Sequence, residues 1–495
     1  MKVFRWMEHL EGGGQVPVDP SREKPHQAGD PKRAAATKTE ELARWASQLS
    51  WPDVPEAVRE RFSLVLFNTL AVTVAGSRTE GQRRIRKFWP TPPGGAPVLG
   101  TDIRTQPDAA AYLNATALVC CELDEGGKYA KGHPAGHTFP AILALAASLG
   151  SSGEDTARAL LAGYEVAARF GRATALARGV HPHGNWGVSG AAAGCAVLLG
   201  LPAAGVAAAV DTAAGLAVAG HFDSALDGHR VRDAWMGAAA MSGLAAARLA
   251  AAGVVGNGGT AALSLGSLLG SFDPAALTDG LGDDWQIAHN YFKRHASCSY
   301  THPAADLALR LRNGPLAGLT AHQVADAVTE MRVETHALAA PLDRTHWDGP
   351  LGAMFSIPYA VAAALLDGAV APATAEATQA DRPELFALAG KVTVREDLAL
   401  TARLPHERPT RLTAVLKSGE HVVLFAPHPV GDSSHHPFTA RTLPGVLTGL
   451  LGDEALVEYL RRAANHLPKA DDVGSLLRDL THLTTPSTAS TGGTA

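Results

Sequence analysis

Two polar segments interrupt a chain that is otherwise apolar and rich in alanine, and they limit its fold more than any other feature. The first runs Glu122-Leu-Asp-Glu-Gly-Gly-Lys-Tyr-Ala-Lys-Gly-His-Pro-Ala-Gly-His137, the second Arg178-Gly-Val-His-Pro-His-Gly-Asn-Trp-Gly187. Helical spacing of apolar residues leads into and out of both: Asp108 to Cys121 and His137 to Leu149 around the first, Gly153 to Ala177 and Trp186 to Leu199 around the second. Both are therefore expected to be helix-to-helix connections on a helical scaffold. Between them they hold three carboxylates, two lysines and four histidines. Such groups are costly to bury unless they pair or do chemistry.

With 495 residues, 46% of them hydrophobic and only 18% charged, the chain has material for two domains and a large core. The expected fold class is mainly α: a large all-helical domain, with a smaller α+β lid domain inserted before C-terminal helices that return to the first. The net charge of −5 and the lack of a long basic run leave no footprint for nucleic acid. The alanine-rich stretches Leu201 to Gly220 and Trp235 to Val254 are broken by Asp211 and Arg248, so they read as buried helices, not membrane spans. The first nine residues, Met1 to His9, lack the apolar core of a signal peptide. The four cysteines have no zinc-site spacing, and a reducing cytoplasm fits them best.

Residues 1–38 read as a disordered tail, and order is expected from Thr39, an N-cap for a helix from Glu40 to Leu49. A second helix starts at Pro55 and is closed by Gly76. The helical domain spans 39–289 and the α+β domain 290–427. In the latter, Met331 to Thr335, Lys391 to Glu396, Arg411 to Lys417 and His421 to Phe425 read as strands, with a hairpin turn at Ser418-Gly419. Helical patterns at Pro303 to Arg312 and Phe355 to Leu366 lie between them. Residues 428–483 return to helix, with patterns at Pro444 to Leu451 and Glu454 to Asn465, and 484–495 read as a second tail. Gly187, Gly190 and Gly194 would let another helix backbone approach closely.

Glu122, Asp124 and Glu125 close an apolar helix. They either orient a histidine or act as a base, or they pair with Lys128 and Lys131. His133 precedes Pro134 at a helix start, where backbone amides disfavour imidazolium and favour a substrate carboxylate. His181 has a similar setting before Asn185, an N-cap candidate, and Trp186, a core candidate. His133 and His137 stand four apart, but a proline, a glycine and the lack of a third ligand argue against a metal, and none is expected. Arg230 and Arg232 could clamp a carboxylate. Lys293, His295, Cys298 and His302 fall at the domain junction, where Cys298 reads as a packed thiol; His435-His436 reads as solvated.

These clusters, in this order, resemble the MmgE/PrpD family, which includes 2-methylcitrate dehydratases, cis-aconitate decarboxylases and iminodisuccinate epimerases. Supporting stretches are Val65-Leu-Phe-Asn-Thr-Leu-Ala-Val, Gly163-Tyr-Glu-Val-Ala-Ala-Arg, Tyr300-Thr-His-Pro-Ala-Ala-Asp and Phe355-Ser-Ile-Pro-Tyr-Ala-Val-Ala-Ala-Ala-Leu-Leu-Asp-Gly. The resemblance implies a helical domain with a lid, a site between them, a homodimer, and no metal or organic cofactor. It maps the acidic motif onto Glu122, Asp124 and Glu125, the pocket histidines onto His133 and His181, a basic residue onto Arg232, the lid lysine onto Lys293 and a pocket tyrosine onto Tyr359. Three positions depart from it. The common Asp-Phe-Asp-Asp-Thr is Glu122-Leu-Asp-Glu-Gly126, arginine stands at 232 where the decarboxylases have lysine, and Cys298 matches their lid histidine.

The expected activity is that of a cofactor-independent lyase, a hydro-lyase resembling 2-methylcitrate dehydratase, on a small di- or tricarboxylate. His133 or His181 would take a proton next to a carboxylate, Glu122 or Asp124 would fix the histidine, and Tyr359 or the other histidine would protonate the leaving hydroxyl. Arg232 and Lys293, with Lys128 and Glu125 beside them, would bind substrate. An epimerase and a non-catalytic, carboxylate-binding helical dimer are the alternatives.

Overall fold

The computed structural model describes residues 30–484. Its first helix, Pro31–Gln48, starts well before the expected cap. Asp30 caps it by accepting from the Lys32 amide at 3.0 Å, and Pro31 fills the first turn. Thr39 is therefore a buried mid-helix residue, not an N-cap, and 31–38 are not part of a tail. The run Lys32-Arg-Ala-Ala-Ala-Thr-Lys38 is polar enough to resemble a tail yet made mostly of strong helix formers. Helix Glu56–Ser77 follows, capped by Pro55 and buried at Val58, Phe62, Val65, Leu66 and Leu70 as its spacing predicts.

Helices Pro107–Val119, Pro134–Leu149, Gly153–Ala173, Val188–Leu198, Ala203–Ala214 and Val231–Ala251 pack with it around one large core. The two polar segments are the connections after the first and third of these. Small residues set the spacing. Helices Gly153–Ala173 and Val188–Leu198 cross at Gly163 and Gly190, where a Cβ on Gly163 would lie 2.9 Å from the Gly190 carbonyl oxygen. The alanine-rich stretches are interior helices, and no helix among the described residues is long and apolar enough to cross a membrane.

A second core is built on a four-stranded sheet ordered His421–Ala426, Thr410–Leu416, Val328–Thr335, Val392–Glu396. The first two contacts are antiparallel and the last is parallel. Gly419, at a φ of +86°, makes the hairpin turn predicted at Ser418-Gly419. Every second residue of Thr410–Leu416 is buried, the alternation of a sheet with one covered face. Helices His302–Asn313 and Ile357–Asp367 contribute to the same core. Helices Leu443–Leu451 and Glu454–His466 and the start of Val473–Thr484 return to the first core through Leu443, Leu447, Leu460, Val473 and Leu477.

Candidate active site

The polypeptide turns sharply where the first polar segment leaves helix Pro107–Val119. Glu122 takes a φ of +53°, a left-handed conformation that costs energy in a residue with a Cβ. This turns its carboxylate inward, where Oε2 accepts from Lys293 Nζ at 2.9 Å and Oε1 contacts the Arg232 guanidinium. Lys293 also reaches Asp124 Oδ1, at 3.1 Å. Arg232 donates in addition to Asp233 Oδ1 and the Val119 carbonyl oxygen, both at 2.9 Å. All five side chains are almost fully buried. Two cations facing three carboxylates make such burial bearable.

His133 stands at the N-terminus of helix Pro134–Leu149. Its Nδ1 lies 2.7 Å from the Glu125 carbonyl oxygen and 3.1 Å from Asp124 Oδ2. Both neighbours only accept, so Nδ1 carries the proton and Nε2 keeps its lone pair. Burial lowers the His133 pKa, and the Asp124 charge pulls it partly back up.

The second polar segment brings the other rings. His181 and His183 have centroids 4.5 Å apart, and His183 lies 5.2 Å from His133. His181 Nδ1 accepts the His183 backbone N–H at 3.1 Å, which leaves the proton on Nε2. Its ring is boxed by Phe222, Trp235 and Phe355, and burial pushes its pKa down to about 3. His137 is tied at both nitrogens: Nδ1 donates to the His133 carbonyl oxygen at 2.8 Å, and Nε2 accepts from the Gly184 amide at 3.1 Å. With its pKa lowered to about 4, chiefly by burial, it is a neutral brace between the segments.

The structure thus brings together Glu122, Asp124, His133, His181, Arg232 and Lys293. Three other candidates face elsewhere. Lys128 is buried against Asp432 Oδ1 and Ser434 Oγ, each 3.2 Å away. The Glu125 side chain accepts from the Ala135 amide at 2.7 Å and from the Tyr164 hydroxyl at 3.1 Å, capping the helix that carries His133. Burial raises its pKa to about 8, so at neutral pH it is mostly a carboxylic acid. Tyr359 sits in the second core with its ring edge on Trp347, 5.3 Å between centroids, and its hydroxyl without a partner among the described residues. Cys298 is a buried thiol, as expected, with its pKa raised by burial.

His183 is the residue sequence reasoning passed over. It lies between His181, His133 and His137, its Nε2 is 3.4 Å from Arg232 Nη2, and its Nδ1 has no partner among the described residues. Local spacing does not single it out: the turn in which His181 Nδ1 accepts from the His183 amide is a feature of the folded chain. Asp124, His133 and His183 also each bring one donor atom within 4.8 Å of the others. That donor set suits a divalent metal. The Lys293 ammonium on Asp124 and the Arg232 guanidinium at His183 already supply positive charge at the same place.

Residues 40–273 match the MmgE/PrpD N-terminal domain and residues 295–444 the MmgE/PrpD C-terminal domain. The chain is 32% identical over 304 residues to the cis-aconitate decarboxylase-like protein oryM of Aspergillus oryzae, covering 56% of this chain and 62% of that one. It is 24% identical over 470 residues to the cis-aconitate decarboxylase of Aspergillus terreus, covering 89% of this chain and 95% of the relative. The mouse (Mus musculus) cis-aconitate decarboxylase is 27% identical over 387 residues, 72% of this chain and 75% of its own. With both domain models matched across most of its length, the chain belongs to the MmgE/PrpD family.

Proposed function

We propose that this protein is a cofactor-independent lyase, a hydro-lyase that removes a proton next to a carboxylate of a small di- or tricarboxylate and expels water. One observation carries the reading. His133 is held by its Nδ1–H on a carbonyl oxygen beside Asp124, its ring lies 5.2 Å from that of His183, which Arg232 contacts, and the Lys293 charge bears on it. A C–H next to a carboxylate is weakly acidic, so the developing enediolate needs cations nearby, which Arg232 and Lys293 supply. His133 Nε2 takes the proton and becomes an imidazolium that Asp124 stabilises. The carbanion electrons form the double bond as the C–O bond breaks. The leaving hydroxyl, held by the His181 Nε2–H, receives the proton back from His133, and water departs.

The second reading is decarboxylation, and the relatives favour it: several carry the name cis-aconitate decarboxylase. Arginine at 232 and cysteine at 298, where the resemblance implies the lysine and histidine of the decarboxylases, weigh against decarboxylation of cis-aconitate. In either case the smaller α+β unit acts as a lid over the site, with the protein working as a cytoplasmic homodimer. Proton NMR of the purified protein with 2-methylcitrate, citrate, cis-aconitate and iminodisuccinate tests the choice. Water loss from a hydroxy acid supports the hydro-lyase, and loss of carbon dioxide from cis-aconitate replaces it by the decarboxylase. Proton return to the opposite face indicates an epimerase. Binding without turnover or exchange on any of the four refutes an enzyme of this kind.

A further inference from the structure

Arg408 is a buried cation that the mechanism above does not use. It lies between the Leu398–Thr401 helix and the Thr410–Leu416 strand and is only 6% exposed. Arg232 and Lys293 are each paired with acids of this chain. Arg408 has no carboxylate of a described residue within 4.0 Å. Its guanidinium instead lies over two aromatic rings, 5.0 Å from the centroid of Tyr291 and 5.5 Å from that of Tyr300, and hydrogen-bonds with the Tyr291 side chain. The carboxylate whose charge reaches it, Asp432, is already paired with Lys128 at 3.2 Å, so Arg408 has no direct ion pair of its own and has room for a ligand to supply one.

The surroundings point to the site. Tyr291 pairs in a short antiparallel bridge with Gly126, the neighbour of the residue whose carbonyl holds His133, and a Cβ at Gly126 would collide with the Tyr291 phenol. The Arg408 charge also reaches His133 and Cys298, where it pushes each pKa down as a small influence behind burial and nearer groups. His336 is fully buried, its ring 5.5 Å from Tyr300, and neither of its nitrogens has a partner among the described residues. A cation with no acid in direct contact and an imidazole with no partner among the described residues thus flank one tyrosine.

We infer that Arg408, with Tyr291, Tyr300 and His336, forms a second anion subsite on the lid side of the pocket, which takes a carboxylate remote from the reacting carbon. The inference rests on the carboxylate-lyase reading and makes that substrate a polycarboxylate. Arg408 is then a specificity residue: its planar fork grips the distal carboxylate, while His133 works at the near one.

The test is calorimetric titration of the full chain with tricarballylate, an unreactive tricarboxylate, and with butyrate, which has one carboxylate. Wild type is expected to bind tricarballylate much more tightly than butyrate. Arg408→Met is expected to weaken tricarballylate about 100-fold and leave butyrate within about threefold, and Arg408→Lys to weaken tricarballylate about tenfold. Without ligand, Arg408→Met should unfold at the same or a higher temperature than wild type, whereas an arginine with a merely structural role would lower it. If Arg408→Met does not fold, Arg408→Lys decides, because it keeps the charge and loses the two-pronged grip. Unchanged tricarballylate affinity in a folded variant overturns the subsite alone. Failure of wild type to bind either acid overturns the carboxylate reading, and this inference with it.

Discussion

At His133 the Nδ1–H is spent on the Glu125 carbonyl oxygen, 2.7 Å away, so whatever base chemistry the ring does falls to Nε2. Burial holds its pKa below the ordinary value and Asp124 opposes that shift. The rate is therefore expected to be flat through neutral pH and to fall on the acid side, as the imidazole protonates. Asp124→Asn removes the charge that raises the pKa and steadies the imidazolium. It should move the acid limb to lower pH and cut kcat by roughly a hundredfold or more, read from a pH–rate profile. Glu125 makes the opposite kind of statement. Its folded pKa of about 8 lies above the ordinary carboxylate value, so the folded state holds a proton that the unfolded chain gives up. That contribution is complete below the unfolded pKa and is lost as pH rises through the folded value. Glu125→Gln keeps a carbonyl for the Ala135 amide and cannot ionise. It should match wild type in Tm at pH 4 and exceed it at pH 8, and an equal difference at both pH values would contradict the assignment.

At the scale of elements, the two polar connections hold their shape because helices meet there without side chains in the way. A Cβ on Gly187 would run into the His137 ring, whose Nε2 accepts from the Gly184 amide. Gly187→Ala is expected to destabilise the fold by about 1–3 kcal/mol in urea unfolding and to lower turnover through the displaced second segment. Elements with local signals were legible in the sequence. The periodic helices, the Ser418-Gly419 hairpin and the four strands fall close to their expected places because spacing and turn chemistry are local. The first helix was misplaced because Thr39 is a plausible cap, while the real signal, Asp30-Pro31, sits in a stretch whose composition resembles a tail. In the site, His133, His181 and the acidic motif stood out as costly residues in an apolar chain. Long-range partners did not stand out. Nothing local ties Lys128 to Asp432, 304 positions away, or brings Arg408 up to Tyr291. Tyr359 was inferred through the resemblance, and its ring packs on Trp347, a contact that local spacing does not encode.

Over the whole molecule, the first and last described helices serve one core. Leu42 and Ala46 of the first helix and Leu460, Leu467 and Val473 near the C-terminus belong to the core that also contains Phe62, Phe139 and Trp186. Deleting residues 440–495 would expose that core from one side, so the shortened chain should lose its cooperative thermal transition in calorimetry; a wild-type transition would show that the C-terminal helices are dispensable. The charge system spans the same distance, since Lys293 and Phe355 from beyond the helical segments meet Glu122, Asp124 and His181. The most direct test of the proton-transfer claim is solvent exchange. Citrate and 2-methylcitrate are incubated with wild type and with His133→Asn in deuterated water, and proton NMR follows the carbons next to their carboxylates. Deuterium should enter in wild type and fall by at least about a hundredfold in a His133→Asn protein that keeps the wild-type Tm. Exchange at the wild-type rate in that variant would remove His133 as the base.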